Sequence, residues 1–360
     1  MQVPLNDLHQ RLAETRPGWK ANLADVFARS QFVLGPQVAA FEQEFAAFLG
    51  GGYVVAVGSG TDAITLALLA AGVRPGSQVI TSALTSPFTG IAILRAGAQP
   101  VFADVDPNTL QIDPASVAQK ITRQTAAIVP VHLYGQPSPL DQLKAFRLPL
   151  VQDACQAHGA TYLGRPLLAW SPLAAFSFYP TKNLGCLGDG GAVWTSSKRL
   201  AGQLRMLRDG GRRGGQISYR AGLNSRLDEI QAAYLRAFLS RLSAWNQRRR
   251  EIAATYDRAL HSCSGLTLLK RSTESVCHLY VVKVKRRERL RAFLSQVGVQ
   301  TGIHYPLPLH LQKPFRSARN DALPIAEQAA RQVLTLPGHP HLTTSQIDHV
   351  ISAALQFSRM

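Results

Sequence analysis

The stretch SFYPTKNLGCLGDGG, residues 177–191, sets one lysine between an apolar strand and a turn holding four glycines and an aspartate. A lysine on an open loop needs no such setting, whereas an amine that must bond to an aldehyde has to be fixed and partly desolvated. Lys182 is therefore the first candidate for chemistry. Strand AAFSFY alternates, with Phe176 and Phe178 on one face and Ser177 on the other, and Pro180 ends it just before the lysine. In GSGTDA, residues 58–63, the glycines allow close backbone approach, free N–H groups point outward at a helix start, and Thr61 adds a hydroxyl. Together these make a cup suited to a phosphate, the simpler alternative being an Asp or Thr N-cap after a tight turn.

Two more segments complete a set. In LVQDACQAHGA, Asp153 closes an apolar strand and is followed by Gln156 and His158. A carboxylate there faces the ligand side of an α/β sheet, where it is costly unless paired or hydrogen-bonded. In GLNSRLDEIQAA, Asn224 and Arg226 precede a helix, where a turn residue and an acid-paired arginine are the ordinary roles. A phosphate cup, a fixed amine, a carboxylate for a ring nitrogen and nearby hydroxyl and amide donors are together what pyridoxal 5'-phosphate requires. The carboxylate keeps the pyridine nitrogen protonated, so that the ring accepts electrons when a substrate α-proton leaves.

The elements that must position these groups are legible in the pattern. The arm before residue 53 reads as two helices, the first with a Pro-Gly interruption, the second carrying Val38, Phe41, Phe45 and Phe48 at helical spacing. From Tyr53 short apolar strands (YVVAV, SQVITSA, QPVFADV, TAAIVPVHL, LPLVQDA, AAFSFYP, GGAVWTS) alternate with helices, which predicts a largely parallel sheet covered on both faces. Ligands of such sheets sit beyond the carboxyl ends of the strands. The stretch LDEIQAAYLRAFLSRLSAWNQRRREIAATYDRAL exceeds an ordinary globular helix and is expected to bridge two domains, 1–245 and 246–360. HLYVVKV, RRERLRAFLSQVG and the Pro/His-rich GIHYPLPLHLQKPF predict a smaller α+β domain.

Composition excludes several classes. A chain of 360 residues, 46% hydrophobic and 17% charged, is globular and not disordered. No apolar run approaches the ~18 residues of a membrane span and the start lacks a signal-peptide pattern, so no membrane association and a cytoplasmic location are expected. The four cysteines show no C-x-x-C spacing, which suggests neither a disulfide framework nor a metal site. The formal charge of +17 favours anionic ligands in general. With no nucleic-acid-binding motif beside it, a solvated basic surface explains the charge better than DNA or RNA binding.

These motifs resemble the DegT/DnrJ/EryC1/StrS family of pyridoxal-phosphate-dependent sugar aminotransferases. The likeness runs from VPLNDL and FVLGPQVAAFEQEFAAFLG through GSGTDAITLAL, DACQAHGA, SFYPTKNLGCLGDGGAV and GLNSRLDEIQAA to GIHYPLPLH, nearly the whole chain. The resemblance implies the aspartate aminotransferase-like fold (fold type I), a mostly parallel seven-stranded sheet with a smaller α+β C-terminal domain. It makes Lys182 the lysine that bonds the cofactor and carries the proton, Asp153 the partner of the ring nitrogen, Gln156 a contact of the ring or its hydroxyl, and Gly60, Thr61, Asp62 and Ser177 the phosphate holders. Asn224 looks like the residue that reaches the neighbouring subunit's cofactor, implying a homodimer with shared active sites. Arg226, His304, Tyr305 and His310 are the candidate substrate contacts.

Two positions depart from the family pattern. Ser86 stands where relatives place a ring-stacking aromatic after the threonine equivalent to Thr85, with Phe88 as the candidate replacement, and the glycine turn reads LGDGG in place of GEGG. The implied reaction moves an amino group from L-glutamate to a keto-sugar, nucleotide-linked by expectation, in amino-sugar biosynthesis. A keto-inositol or free keto-sugar acceptor, or a non-catalytic cofactor-binding regulator of the same fold, are the alternatives. Lysine at position 182 speaks against the family's dehydratase branch, in which histidine replaces it.

Overall fold

The computed structural model describes residues 1–316 and 322–359. The arm forms α1 (Leu8–Glu14), α2 (Arg16–Arg29) and α3 (Pro36–Phe48). It holds three helices rather than the expected two, because the chain turns at Thr15 and Pro17 opens a new first turn, where its missing N–H costs nothing. Helix α3 buries Val38, Phe41 and Phe45 on one face. Its start is held from across the molecule: the buried Glu229 carboxylate accepts the backbone N–H groups of Gly35, Gln37 and Val38 at 2.8, 2.8 and 2.9 Å. Those donors have no partner inside the helix, and the carboxylate also suits the positive end of its dipole.

The strands and helices then alternate: β1 (Tyr53–Val57), α4 (Gly60–Ala70), β2 (Gln78–Ser82), α5 (Pro87–Arg95), β3 (Gln99–Ala103), α6 (Pro114–Lys120), β4 (Thr125–Val129), α7 (Leu140–Lys144) and β5 (Val151–Asp153). A small hairpin of β6 (Thr161–Tyr162) and β7 (Arg165–Pro166) precedes β8 (Leu173–Ser177), β9 (Gly191–Thr195) and α8 (Lys198–Arg208). The pieces β3-β2-β4 and β5-β8-β9-β1 join through parallel bridges Ile128↔Leu150 and Val131↔Asp153. The result is the expected seven-stranded sheet, with β9 antiparallel to both neighbours and the other strands sharing one direction. Its strands are buried almost throughout, the signature of a sheet covered on both faces.

The long helical stretch is two helices, α9 (Glu229–Leu239) and α10 (Leu242–Leu260), not one. The break falls at Ser240 and Arg241, where the Ser240 hydroxyl donates back to the Ala237 carbonyl and the Arg241 N–H closes a tight turn onto Phe238. The turn redirects the chain. Leu242 and Trp245 at the start of α10 pack in the core under the sheet, while Ile252, Tyr256 and Leu260 pack in a second core. That second core lies between α10 and an antiparallel sheet of β10 (Leu266–Leu268), β11 (Tyr280–Val284) and β12 (Val333–Leu336). Helices α11 (Arg287–Gln296) and α13 (Thr344–Ser358) pack against it, and α12 (Pro324–Gln332) leads into β12. Val3 also belongs to it and bridges Val299, so the first residues of the chain pack with its last hundred. Among the described residues no helix is long and apolar enough to cross a membrane.

Candidate active site

The candidate residues converge at the carboxyl ends of β1, β5 and β8, on one edge of the sheet. At the end of β1 the Ser59 hydroxyl caps α4 by accepting the Asp62 N–H at 3.1 Å, and the Ser59 carbonyl accepts from Ala63. The Gly60 and Thr61 N–H groups are left without an acceptor among the described residues, which is what an anion cup needs. Gly60 has to be glycine: a Cβ there would lie 2.6 Å from Cβ and 3.0 Å from Oγ of Ser177, at the end of β8. Gly191 has a matching constraint, since its Cβ would meet the Ser59 carbonyl at 2.4 Å. The glycine turn thus lets β9 close against the cup.

Asp62 plays a different part from the one its motif implied. Its N–H is taken by Ser59, and its carboxylate accepts the Ser225 hydroxyl at 2.7 Å and pairs with Arg95 at 2.7 Å. The Ser225 hydroxyl in turn accepts the Gly58 N–H at 2.9 Å, so Asp62 ties the segment carrying Asn224 to the cup and has no free donor for a phosphate.

Asp153 is buried at the end of β5. Its two oxygens accept from the Thr89 hydroxyl at 2.8 Å and the Cys155 N–H at 3.2 Å, and no cation pairs with it among the described residues. A buried carboxylate held only by neutral donors is poised to accept from a protonated ring nitrogen. Gln156 is held at both ends: its amide oxygen accepts the Tyr134 N–H at 2.7 Å, and its amide nitrogen donates to the Tyr305 hydroxyl at 3.1 Å. Burial, reinforced by Asp153, raises the Tyr305 phenol to about 12.

Lys182 follows Pro180 in a turn where its N–H donates to the Tyr179 carbonyl at 2.8 Å. Its amine donates no hydrogen bond among the described residues. Burial pushes the amine below the usual lysine range, with Cys155 and Asp153 pulling the other way. Three imidazoles nearby are kept neutral by burial, with the Lys182 charge adding to the effect: His158 at about 3, His304 at about 4, and His278 well below its ordinary value.

The other candidates are placed less centrally. Phe88 is 59% exposed on α5 and, with Pro87 opening that helix, it is Thr89 that turns toward Asp153. The aromatic side chain that does reach the Asp153 neighbourhood is Tyr305. Asn224 is exposed with no side-chain partner among the described residues, and Arg226 is committed to Asp209 at 2.9 Å. His304 meets the Thr335 hydroxyl at 2.8 Å through Nδ1, and His310 meets Glu327 at 3.2 Å. Thr89, Tyr134 and Ser225 were missed from the sequence. For Thr89 the only signal is its position one turn after Thr85 at a helix start. A surface groove of ≈ 510 Å³ around Trp170 and Trp194 contains none of these residues.

Among the described residues the donor set fits pyridoxal phosphate: paired free N–H groups with a glycine-walled cup, an unpartnered amine in a desolvated setting, and a buried carboxylate lacking a cation.

The comparisons with known proteins agree with this chemistry. A model of the DegT/DnrJ/EryC1/StrS aminotransferase family matches residues 16–355. The chain is 43% identical to a dTDP-3-amino-3,4,6-trideoxy-alpha-D-glucose transaminase of Streptomyces venezuelae, over 99% of this chain and 96% of that protein. It is 41% identical to a pleiotropic regulatory protein of Geobacillus stearothermophilus, over 100% of this chain and 99% of that one. Among solved structures, S. venezuelae DesV in complex with a ketimine intermediate superposes with a TM-score of 0.97 at 42% identity, covering 100% of this chain and 99% of that chain.

Proposed function

This chain belongs to the DegT/DnrJ/EryC1/StrS aminotransferase family, and from that premise we propose that it transfers an amino group from L-glutamate to a nucleotide-linked keto-sugar with pyridoxal phosphate as cofactor. The observation that carries the reading is the desolvated Lys182 amine, without a hydrogen-bond partner among the described residues, beside the buried Asp153. When bound, the cofactor supplies an aldehyde to the amine and an electron sink to the substrate carbanion.

In this reading the chain's own groups do the rest. The Gly60 and Thr61 N–H groups with Ser177 hold the phosphate. Asp153 keeps the ring nitrogen protonated, and Thr89 and the Cys155 N–H hold that carboxylate in place. Lys182 Nζ, with its lone pair free in the neutral form, takes the α-proton of the amino donor and returns a proton in the acceptor half of the reaction. The net exchange turns L-glutamate into 2-oxoglutarate and the keto group of the sugar into an amine.

Chain pairing belongs to the same proposal. Tyr179 and Leu187 flank the Lys182 turn and Phe27, Phe32 and Phe88 lie on other surface segments, all of them exposed. Such apolar surface is what a homodimer covers, and exposed Asn224 is the residue proposed to reach the partner's site. Absence of membrane-spanning helices among the described residues is compatible with a cytoplasmic enzyme.

The test offers glutamate with keto-sugars linked to dTDP or UDP, with free keto-sugars and with a keto-inositol. Turnover confined to a nucleotide-linked acceptor supports the proposal. Turnover only with unlinked acceptors contradicts it, and no turnover with any acceptor by cofactor-loaded protein favours the regulatory reading that the 41% identical relative's name suggests. Gly60→Ala is expected to weaken pyridoxal phosphate binding to the apo-protein about 10- to 100-fold, since the 2.6 Å overlap with Ser177 forces the cup open. A visible-band titration measures this, and unphosphorylated pyridoxal is expected to lose much less.

A further inference from the structure

We propose that Arg11, on α1 of the N-terminal arm, is a positioning residue for Lys182. The inference rests on the aminotransferase reading above and adds to it a residue far from the motifs. The Arg11 guanidinium donates through Nη1 to the Pro180 carbonyl at 3.0 Å and through Nη2 to the carbonyl of Lys182 itself at 3.1 Å. It lies over the Trp245 ring at 5.3 Å and near the Phe238 ring at 6.0 Å, with 5% of its surface exposed. One planar fork therefore spans the turn from Pro180 to Lys182, and the Lys182 N–H is fixed from within that turn.

The next residue is fixed as well. Asn183 donates to Asn246 at 2.8 Å and to the Val276 carbonyl at 3.1 Å, and its oxygen meets His278 at 2.9 Å. The backbone at Lys182 is thus gripped on one side by the arm and on the other by α10 and the segment before β11, leaving the amine only its own four-carbon stem to move.

Arg11 is a costly way to make this contact. No carboxylate pairs with it among the described residues, since Glu14 on the same helix is engaged by Arg241 and Trp245. Its Nε lacks a partner among the described residues, and burial draws its pKa down to about 10. A buried guanidinium without an acid is destabilising relative to an apolar residue of similar size. A group that costs stability yet bonds both carbonyls of the lysine turn is explained by what it orients, because a displacement of about 1 Å in a reacting group lowers rates by roughly 100-fold.

The test compares Arg11→Met and Arg11→Lys with the parent, all cofactor-loaded. Arg11→Met keeps most of the stem over Trp245 and loses both carbonyl bonds. Its kcat is expected to fall roughly tenfold with KM for glutamate within about twofold, and the pH midpoint of the visible band, read without substrate, to move by about half a unit or more. Arg11→Lys, which reaches one carbonyl at a time, is expected to recover part of both. Variants that lose thermal stability but keep the parent's kcat and midpoint would show a packing role and overturn the inference. Should Arg11→Met not fold, Arg11→Lys decides alone: an unchanged midpoint and kcat overturns the inference, a partial loss of both supports it. A parent with no visible band sinks the aminotransferase reading and this inference with it, whereas a normal parent band with unaffected variants sinks only this inference.

Discussion

Lys182→Ala is expected to give a folded protein with no visible band from a covalently held cofactor and with amino transfer lowered by about 10²–10⁴-fold from the missing proton carrier alone. Loss of the covalent attachment adds to this. The fold should not suffer, because the amine is desolvated and makes no hydrogen bond among the described residues, so its removal relieves a burial cost. The pH behaviour follows from the direction of the shift. With the folded-state pKa below the ordinary lysine value, the unfolded chain holds more protons at every pH between the two values, and stability rises with pH across that window. The alanine variant should lose that slope. In the parent apo-protein the reactive neutral amine grows as pH rises through the lowered value, so the rate of cofactor attachment should climb below the ordinary lysine range. Chemical denaturation at several pH values and stopped-flow reconstitution check the two statements. Retained single-turnover conversion with glutamate in Lys182→Ala would contradict the assignment.

Asp153→Asn is the second large effect. The amide keeps the size of the side chain and an oxygen that accepts from Thr89 or from the Cys155 N–H, both neutral donors, so the fold and the cup should persist. What disappears is the negative charge that holds a proton on the ring nitrogen. Loss of one preorganised electrostatic partner of developing charge costs about 10²- to 10³-fold in kcat, and here KM for glutamate should change little, since the carboxylate faces the ring and not the donor. Rapid-scan spectra during a single turnover give the rate directly. A variant within about threefold of the parent would remove Asp153 from the mechanism.

The parts of the site that lie within one motif were legible, because glycine spacing, a strand ending in an acid and a lysine after a strand-ending proline each have a local physical meaning. What was not legible comes from the topology of the sheet. Thr89 meets Asp153 across a separation of 64 residues, and Gln156 meets Tyr305 across 149, so nothing local announces either pair. Asp62 illustrates a subtler failure: its place in GSGTDA suggested a ligand, yet Ser225 and Arg95 claim its carboxylate. Phe88 was proposed from the family pattern as the aromatic nearest Ser86, and the helix that starts at Pro87 turns Thr89 toward Asp153. The break between α9 and α10 was likewise hidden, since Ser240 and Arg241 are both tolerated within a helix, and the tight turn that ends α9 is visible only in the hydrogen bonds to Ala237 and Phe238. Arg11 carries no local signal either, since the carbonyls it bonds lie 169 and 171 residues away.

The most direct measurement reduces the cofactor-loaded protein with borohydride, digests it and locates the pyridoxyl mass by tandem mass spectrometry. The account requires the label on the peptide containing Lys182, with a band at ~420 nm before reduction that moves to ~330 nm on adding glutamate. A label on any other lysine, or no label on protein that binds the cofactor, would contradict it.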